Sequence, residues 1–205
     1  MASELANTLS TRDTILRIAA GVIHENGFRA TGLNDILSKS GLTKGAFYHH
    51  FKSKAELGVA VAKEIIDKTV RDLWIRPLER ENAGIDVIKT SIEYAMAANT
   101  KDLVTMGCPL CNLASEMARH DEKICEALRN TIEDWRNNIV NVLQNDQKKG
   151  LVRKNVDCEQ SAYFIISSLQ GAISLAKPYH SSAPFRASLR GMLDYLDGLS
   201  PIKAA

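Results

Sequence analysis

The stretch Gly107–Met117, GCPLCNLASEM, holds two thiols, Cys108 and Cys111, with Pro109 between them. Thiols at this spacing hold zinc, exchange disulfides or sense oxidants. They also pack as small apolar side chains on a helix. A structural zinc site takes about four ligands, commonly two such pairs. Cys125 and Cys158 stand singly on separate stretches, and His120 is the one histidine near by, so no metal is expected. A thiol–disulfide enzyme places its pair after a strand in an α/β fold, and no strand pattern precedes Gly107. That enzyme, using Cys108 and Cys111, is therefore the alternative reading rather than the leading one. Pro109 suits the first position of a helix that Leu110, Leu113, Ala114 and Met117 continue. Cys108 then falls at the N-cap, where the helix dipole favours thiolate. Cys111 follows on the same face. Two readings stay open for Cys108: an oxidisable thiol with a partner, or a packed cavity wall.

A second set of side chains suits phosphate. Lys44, Tyr48, His49, Lys52 and Lys54 fall between residues 44 and 54, and no acid does. The whole chain carries a formal charge of only +2, so any nucleic-acid contact must be a local patch. The surrounding sequence, TGLNDILSKSGLTKGAFYHHFKSKAEL, reads as two short helices about a glycine turn. The first is Leu33–Ser40, with Thr31 as its expected N-cap. Gly41 suits a turn at positive φ. The second is Lys44–Phe51, capped by Thr43. Ile36, Leu37, Leu42, Ala46 and Phe47 close a small core, and Phe51 joins it. That organisation is helix-turn-helix. Gly45 permits close backbone approach, and the second helix's N-terminus suits a phosphate.

The elements that position these groups are helices. Ile15, Ile18, Ala19, Val22 and Ile23 form one helical face, with Ser10 and Asp13 as a capping box. Leu57, Val61 and Ile65 mark another helix, opened by Ser53 and Glu56. Ile85, Ile88, Ile92 and Ala95 mark a third. A long stripe runs through 121–149. Segment 158–177 is apolar almost all round, which implies burial on more than one side. A last helix spans 184–196. The fold class is all-α, about nine helices by apolar period, with no strand or internal repeat. With 205 residues, 45% of them hydrophobic, the chain can build a substantial core. No run approaches the ~18 apolar residues of a membrane span. The start, MASELANTLSTRDT, lacks the apolar segment of a secretory leader. A cytoplasmic, reducing setting is expected, with cysteines as thiols.

The block Thr11–Leu57 resembles the DNA-binding domain of the TetR family of bacterial repressors. The resemblance rests on Gly27-Phe28, Thr31, Asp35-Ile36, Gly41, Thr43 through Phe51, and Ser53-Lys54. It implies an N-terminal reading domain, 1–55, and an effector-binding and dimerisation domain, 56–205. It implies that Thr43, Lys44, Gly45, Tyr48 and His49 face the major groove or its phosphates, with Thr31 and Lys54 on flanking phosphates. It implies a homodimer joined through helices 158–177 and 184–196, bound to double-stranded operator DNA, with no cofactor and no catalysis. It also implies an effector cavity, whose candidate wall is Tyr94, Met96, Cys108, Cys111, Met117, Trp135 and Tyr163. The Gly-Cys-Pro-Leu-x-Asn-Leu pattern, with Gly171-Ala172 and Ala176-Lys177, resembles the subgroup containing the electrophile- and oxidant-responsive regulator of N-ethylmaleimide reductase. That likeness implies Lys177 as a cation near the thiol, and Cys111 departs from the pattern.

Overall fold

The computed structural model describes residues 10–98 and 101–201. The absence of a leader was read largely from residues 1–9, which lie outside the described residues. The chain is all-α, and no strand occurs among the described residues. Its helices gather into two compact units interleaved along the sequence. One comprises the residues up to Lys68 with Pro109–Arg129, the other Thr69–Cys108 with the residues from Asn130 onward. This is a division by packing, distinct from the division by role at 55/56 that the resemblance implies.

In the first unit, α1 (Thr11–Asn26) opens on the Ser10–Asp13 capping box and ends at Gly27, whose φ is 86°. Its inner face is Ile15, Leu16, Ala19, Val22 and Ile23. Helix α2 (Leu33–Ser40) starts at Gly32 rather than Thr31. Glycine has no capping side chain, so only the reciprocal half of a capping box is made, the Asp35 carboxylate accepting the Gly32 N–H at 2.6 Å. Gly41 takes the left-handed conformation, φ 67°, which turns the chain into α3. Helix α3 (Lys44–His50) is capped by Thr43, whose hydroxyl accepts the Ala46 N–H at 3.2 Å. Phe47 and Phe51 are buried with Ile36. Beyond them α4 (Lys54–Ala60) begins. Ser53 accepts the Glu56 N–H at 3.1 Å, while the Glu56 carboxylate accepts from Lys52 N–H at 2.8 Å rather than from Ser53. Two π-turn stretches, Val61–Ile66 and Arg71–Ile75, flank α5 (Asp67–Val70). Junction residues Ala60 and Asp67 keep right-handed helical dihedrals, so within this unit the helical run from Lys54 continues through Val61–Ile66. Arg12 pairs with Glu64 through two bonds of 2.6 and 2.7 Å, tying α1 to that run.

In the second unit lie α6 (Ile85–Ala97), α7 (Lys101–Met106), the later part of α9 (Glu122–Lys148), α10 (Cys158–Tyr179) and α11 (Ala183–Asp197). Helix α10 packs on α7 and α11, and α11 on α6. The N-cap of α6 is Gly84, which offers no side chain. Asp146, 1% exposed, supplies the missing acceptor from α9 and takes the Ile85 N–H at 2.8 Å. Pro178 lies in the last turn of α10, and Pro184 in the first of α11. No helix among the described residues is long and apolar enough to cross a membrane.

Candidate functional site

Helix α3 carries its hydrophobic residues inward and its polar ones outward. Phe47 is 1% exposed while its neighbour Tyr48 is 49% exposed. The Tyr48 ring stands edge-on to Phe47 at 5.3 Å, so packing holds the phenol in place. Thr43, Lys44, Gly45 and His49 share the exposed surface, and His50 is half-buried. A Cβ added at Gly45 would meet only Thr43 Oγ1, at 3.8 Å. Nothing inside the chain requires glycine there.

Lys54, at the start of α4, is half-buried. Its ammonium lies 4.6 Å from the Phe28 ring centroid and 3.4 Å from the Arg29 carbonyl. Burial pushes its pKa below the ordinary lysine value, against the opposing pull of Glu116 and Asp35. Thr31 is placed differently from the sequence expectation. It is 1% exposed and donates its hydroxyl to the Gly27 carbonyl at 2.7 Å. Its one polar group is thus used inside the chain, so it neither caps α2 nor offers a hydroxyl to a phosphate.

The expected effector residues do not converge. Trp135 is 2% exposed and stacks on Trp74, ring centroids 5.4 Å apart. Together with Ile88, Ile92, Leu169 and Met192 they line a cavity of about 10 Å³. That is room for a single water at most, since one water needs roughly 10–15 Å³. Tyr94 and Tyr163 are 68% and 52% exposed. Tyr163 lies beneath the Arg136 guanidinium rather than in a wall. Met96 and Lys177 are half-buried, and Met117 is buried on the inner face of α8 (Pro109–Met117) in the first unit. Periodicity marks these residues as apolar or aromatic but does not say which side of a helix faces the cavity. Trp74, which completes the aromatic pair, was missed for the same reason.

Helix α8 (Pro109–Met117) begins at Pro109, so Cys108 immediately precedes it. Cys108 and Cys111 are half-buried, and neither is in a disulfide. Burial pushes the thiols of Cys125 and Cys158 up from the ordinary value, which disfavours thiolate at both. No group of three or more metal-ligating side chains occurs among the described residues.

The profile of the family described as "Bacterial regulatory proteins, tetR family" matches residues 15–61. That described as "Tetracyclin repressor-like, C-terminal domain" matches residues 84–192. An uncharacterized helix-turn-helix transcriptional regulator from the lacX 3′ region of Lactococcus lactis subsp. lactis is 28% identical over 175 residues, covering 85% of this chain and 87% of its own. A TetR transcriptional regulator from Chloroflexus aurantiacus superposes with a TM-score of 0.82 at 26% identity, covering 93% of this chain and 96% of that one. The reduced form of Escherichia coli NemR superposes at 0.80 over 95% of this chain and 100% of that one, with 21% identity. The last is a likeness of fold alone. None of these findings supports a thiol-redox enzyme.

Proposed function

Because this chain belongs to the TetR family of bacterial transcriptional regulators, we propose that it is a cytoplasmic, homodimeric repressor that leaves its operator when an effector acts on the C-terminal part. The observation that carries the DNA reading is the outer face of α3. It presents Lys44, Tyr48 and His49 on a helix whose other face is locked into the core. Gly45 has open space that the chain itself does not use, as a backbone approached closely by a phosphate requires. Thr43 and Lys54 flank this face and position the protein on the DNA backbone, while base contacts specify the site.

The dimer forms through α10 and α11. Phe164, Leu175 and Tyr179 are 44%, 53% and 68% exposed. With Gly171, where a Cβ would meet nothing, they follow one another at helical spacing along α10. The helix that reads as apolar all round thus keeps one face uncovered within the chain. A second copy of the same helix is the natural cover for it.

Effector response is a population shift between DNA-competent and released states, and it needs differential affinity for the two. The Trp74–Trp135 cavity, with room for a single water at most, takes an organic ligand only if it opens in the released state. Modification of the Cys108 thiol, at the start of α8, is the second trigger. Operator release is measured by fluorescence anisotropy against oxidants, electrophiles and small organic ligands, with Tyr48→Ala and Cys108→Ser alongside. Loss of operator binding in a folded Tyr48→Ala dimer supports the reading face, and full affinity removes Tyr48 from it.

A further inference from the structure

The turn after α1 is held by a residue far away in sequence. Glu116, on α8, places its Oε2 2.7 Å from the Phe28 N–H and its Oε1 2.7 Å from the Arg29 N–H. One carboxylate therefore accepts from two successive backbone donors, and such charge-assisted bonds are short and directional. Gly27 is shaped to admit it. A Cβ there would stand 3.2 Å from Glu116 Oε2, and the φ of +86° already disfavours a side chain. A third tie joins Arg29 to His120 at 3.2 Å, in the turn that ends α8.

What this clamp fixes is the approach to the DNA-reading surface. Phe28, 7% exposed, abuts Gly58 so closely that a Cβ at residue 58 would lie 2.5 Å from its ring. The same ring carries the Lys54 ammonium, which also lies 3.4 Å from the Arg29 carbonyl. Carboxylate, turn, phenyl ring and Lys54 thus form one contiguous chain of contacts. Its last member is the cation proposed to bind a flanking phosphate.

We infer that Glu116 is a positioning residue for operator binding: its carboxylate sets the Phe28–Arg29 turn, and through it the placement of Lys54 and the start of α4 beside α3. It does not touch DNA. This inference rests on the reading of α3 and Lys54 as the DNA surface. It adds that α8, the helix opened by Cys108 and Pro109, acts on the reading head through this turn as well as through its packing on the Val61–Ile66 stretch. A displacement of α8 removes both acceptors from the turn together.

Glu116→Gln in the full-length protein tests this. The amide keeps the size and one acceptor oxygen, but sets an NH2 group against the second backbone donor. Affinity for the operator should fall roughly tenfold, as expected for losing a charge-assisted pair. Binding to random-sequence duplex should fall less, by the share of the Lys54 phosphate contact alone, the dimer mass should be unchanged, and the backbone amide resonances of Phe28 and Arg29 should move. A purely structural role would lower the melting temperature and the active fraction while leaving the operator-over-random ratio at the wild-type value. That ratio, unchanged, overturns the inference. If Glu116→Gln does not fold, Glu116→Asp, which withdraws the carboxylate by one methylene, carries the same measurement with an intermediate loss expected. Failure of both to fold makes the residue structural and also overturns it. Tyr48→Ala in parallel separates the two ideas. If it abolishes operator binding while Glu116→Gln does not, only the clamp fails; if Tyr48→Ala binds normally, the reading surface itself is wrong.

Discussion

Lys54 shows how a single side chain is prepared for a partner outside the chain. Its burial lowers the ammonium pKa, with the phenyl face of Phe28 and one carbonyl as neighbours. A phosphate would add its charge to the pull that Glu116 and Asp35 already exert on the ammonium. Lys54→Ala should weaken binding to operator and random DNA alike and reduce the slope of log affinity against log salt by about one unit. Salt titration of both duplexes checks this, and an unchanged slope removes the phosphate contact. Cys108 is the other residue whose chemistry can be tested singly. Burial disfavours thiolate at Cys125 and Cys158, which leaves Cys108 and Cys111; with Cys108 as the proposed trigger, release by a thiol reagent should disappear in Cys108→Ser and persist in Cys111→Ser. Persistent release in Cys108→Ser moves the trigger elsewhere. Residue types alone brought out Lys44, Tyr48 and His49, because exposed polar groups on a short helix with a packed back leave few other roles. They misplaced Thr31, whose hydroxyl turned inward to the Gly27 carbonyl one residue before the true cap.

Among the elements, the pair α2 and α3 is the most legible. Its caps, its glycine turn and its apolar spacing all lie within a few residues of one another. Gly41 at φ 67° is the hinge of that pair. Gly41→Ala leaves space untouched, since nothing lies within 4 Å of the added Cβ, but strains the backbone. It should destabilise the protein by about 1 kcal/mol, read from the denaturation midpoint. No change would mean that the turn tolerates a side chain. Helix α6 shows what local reading misses. Its start is capped by Asp146, which is 61 residues away, and the Glu116 clamp spans 88 residues. Both are single carboxylates whose sequence neighbourhoods give no sign of the backbone they serve.

At the scale of the molecule, α10 reads as buried on more than one side, yet within one chain Phe164, Leu175 and Tyr179 remain exposed. Sequence revealed two apolar faces but not which of them belongs to the core. Leu175→Glu places a charge in the proposed seam and should convert the dimer to a monomer in analytical ultracentrifugation. Operator affinity should fall with it, because one reading head alone binds weakly. A dimer of unchanged mass would move the interface off this face. Two such heads on a two-fold axis demand a symmetric site with half-sites about 34–36 Å apart or a multiple of that. The most direct measurement is therefore selection of the full-length protein on a pool of random-sequence duplex DNA, with Tyr48→Ala as the parallel sample. The account predicts enrichment of an inverted repeat by the wild type and none by the variant. No enrichment by the wild type, or the same repeat enriched by both, would contradict it.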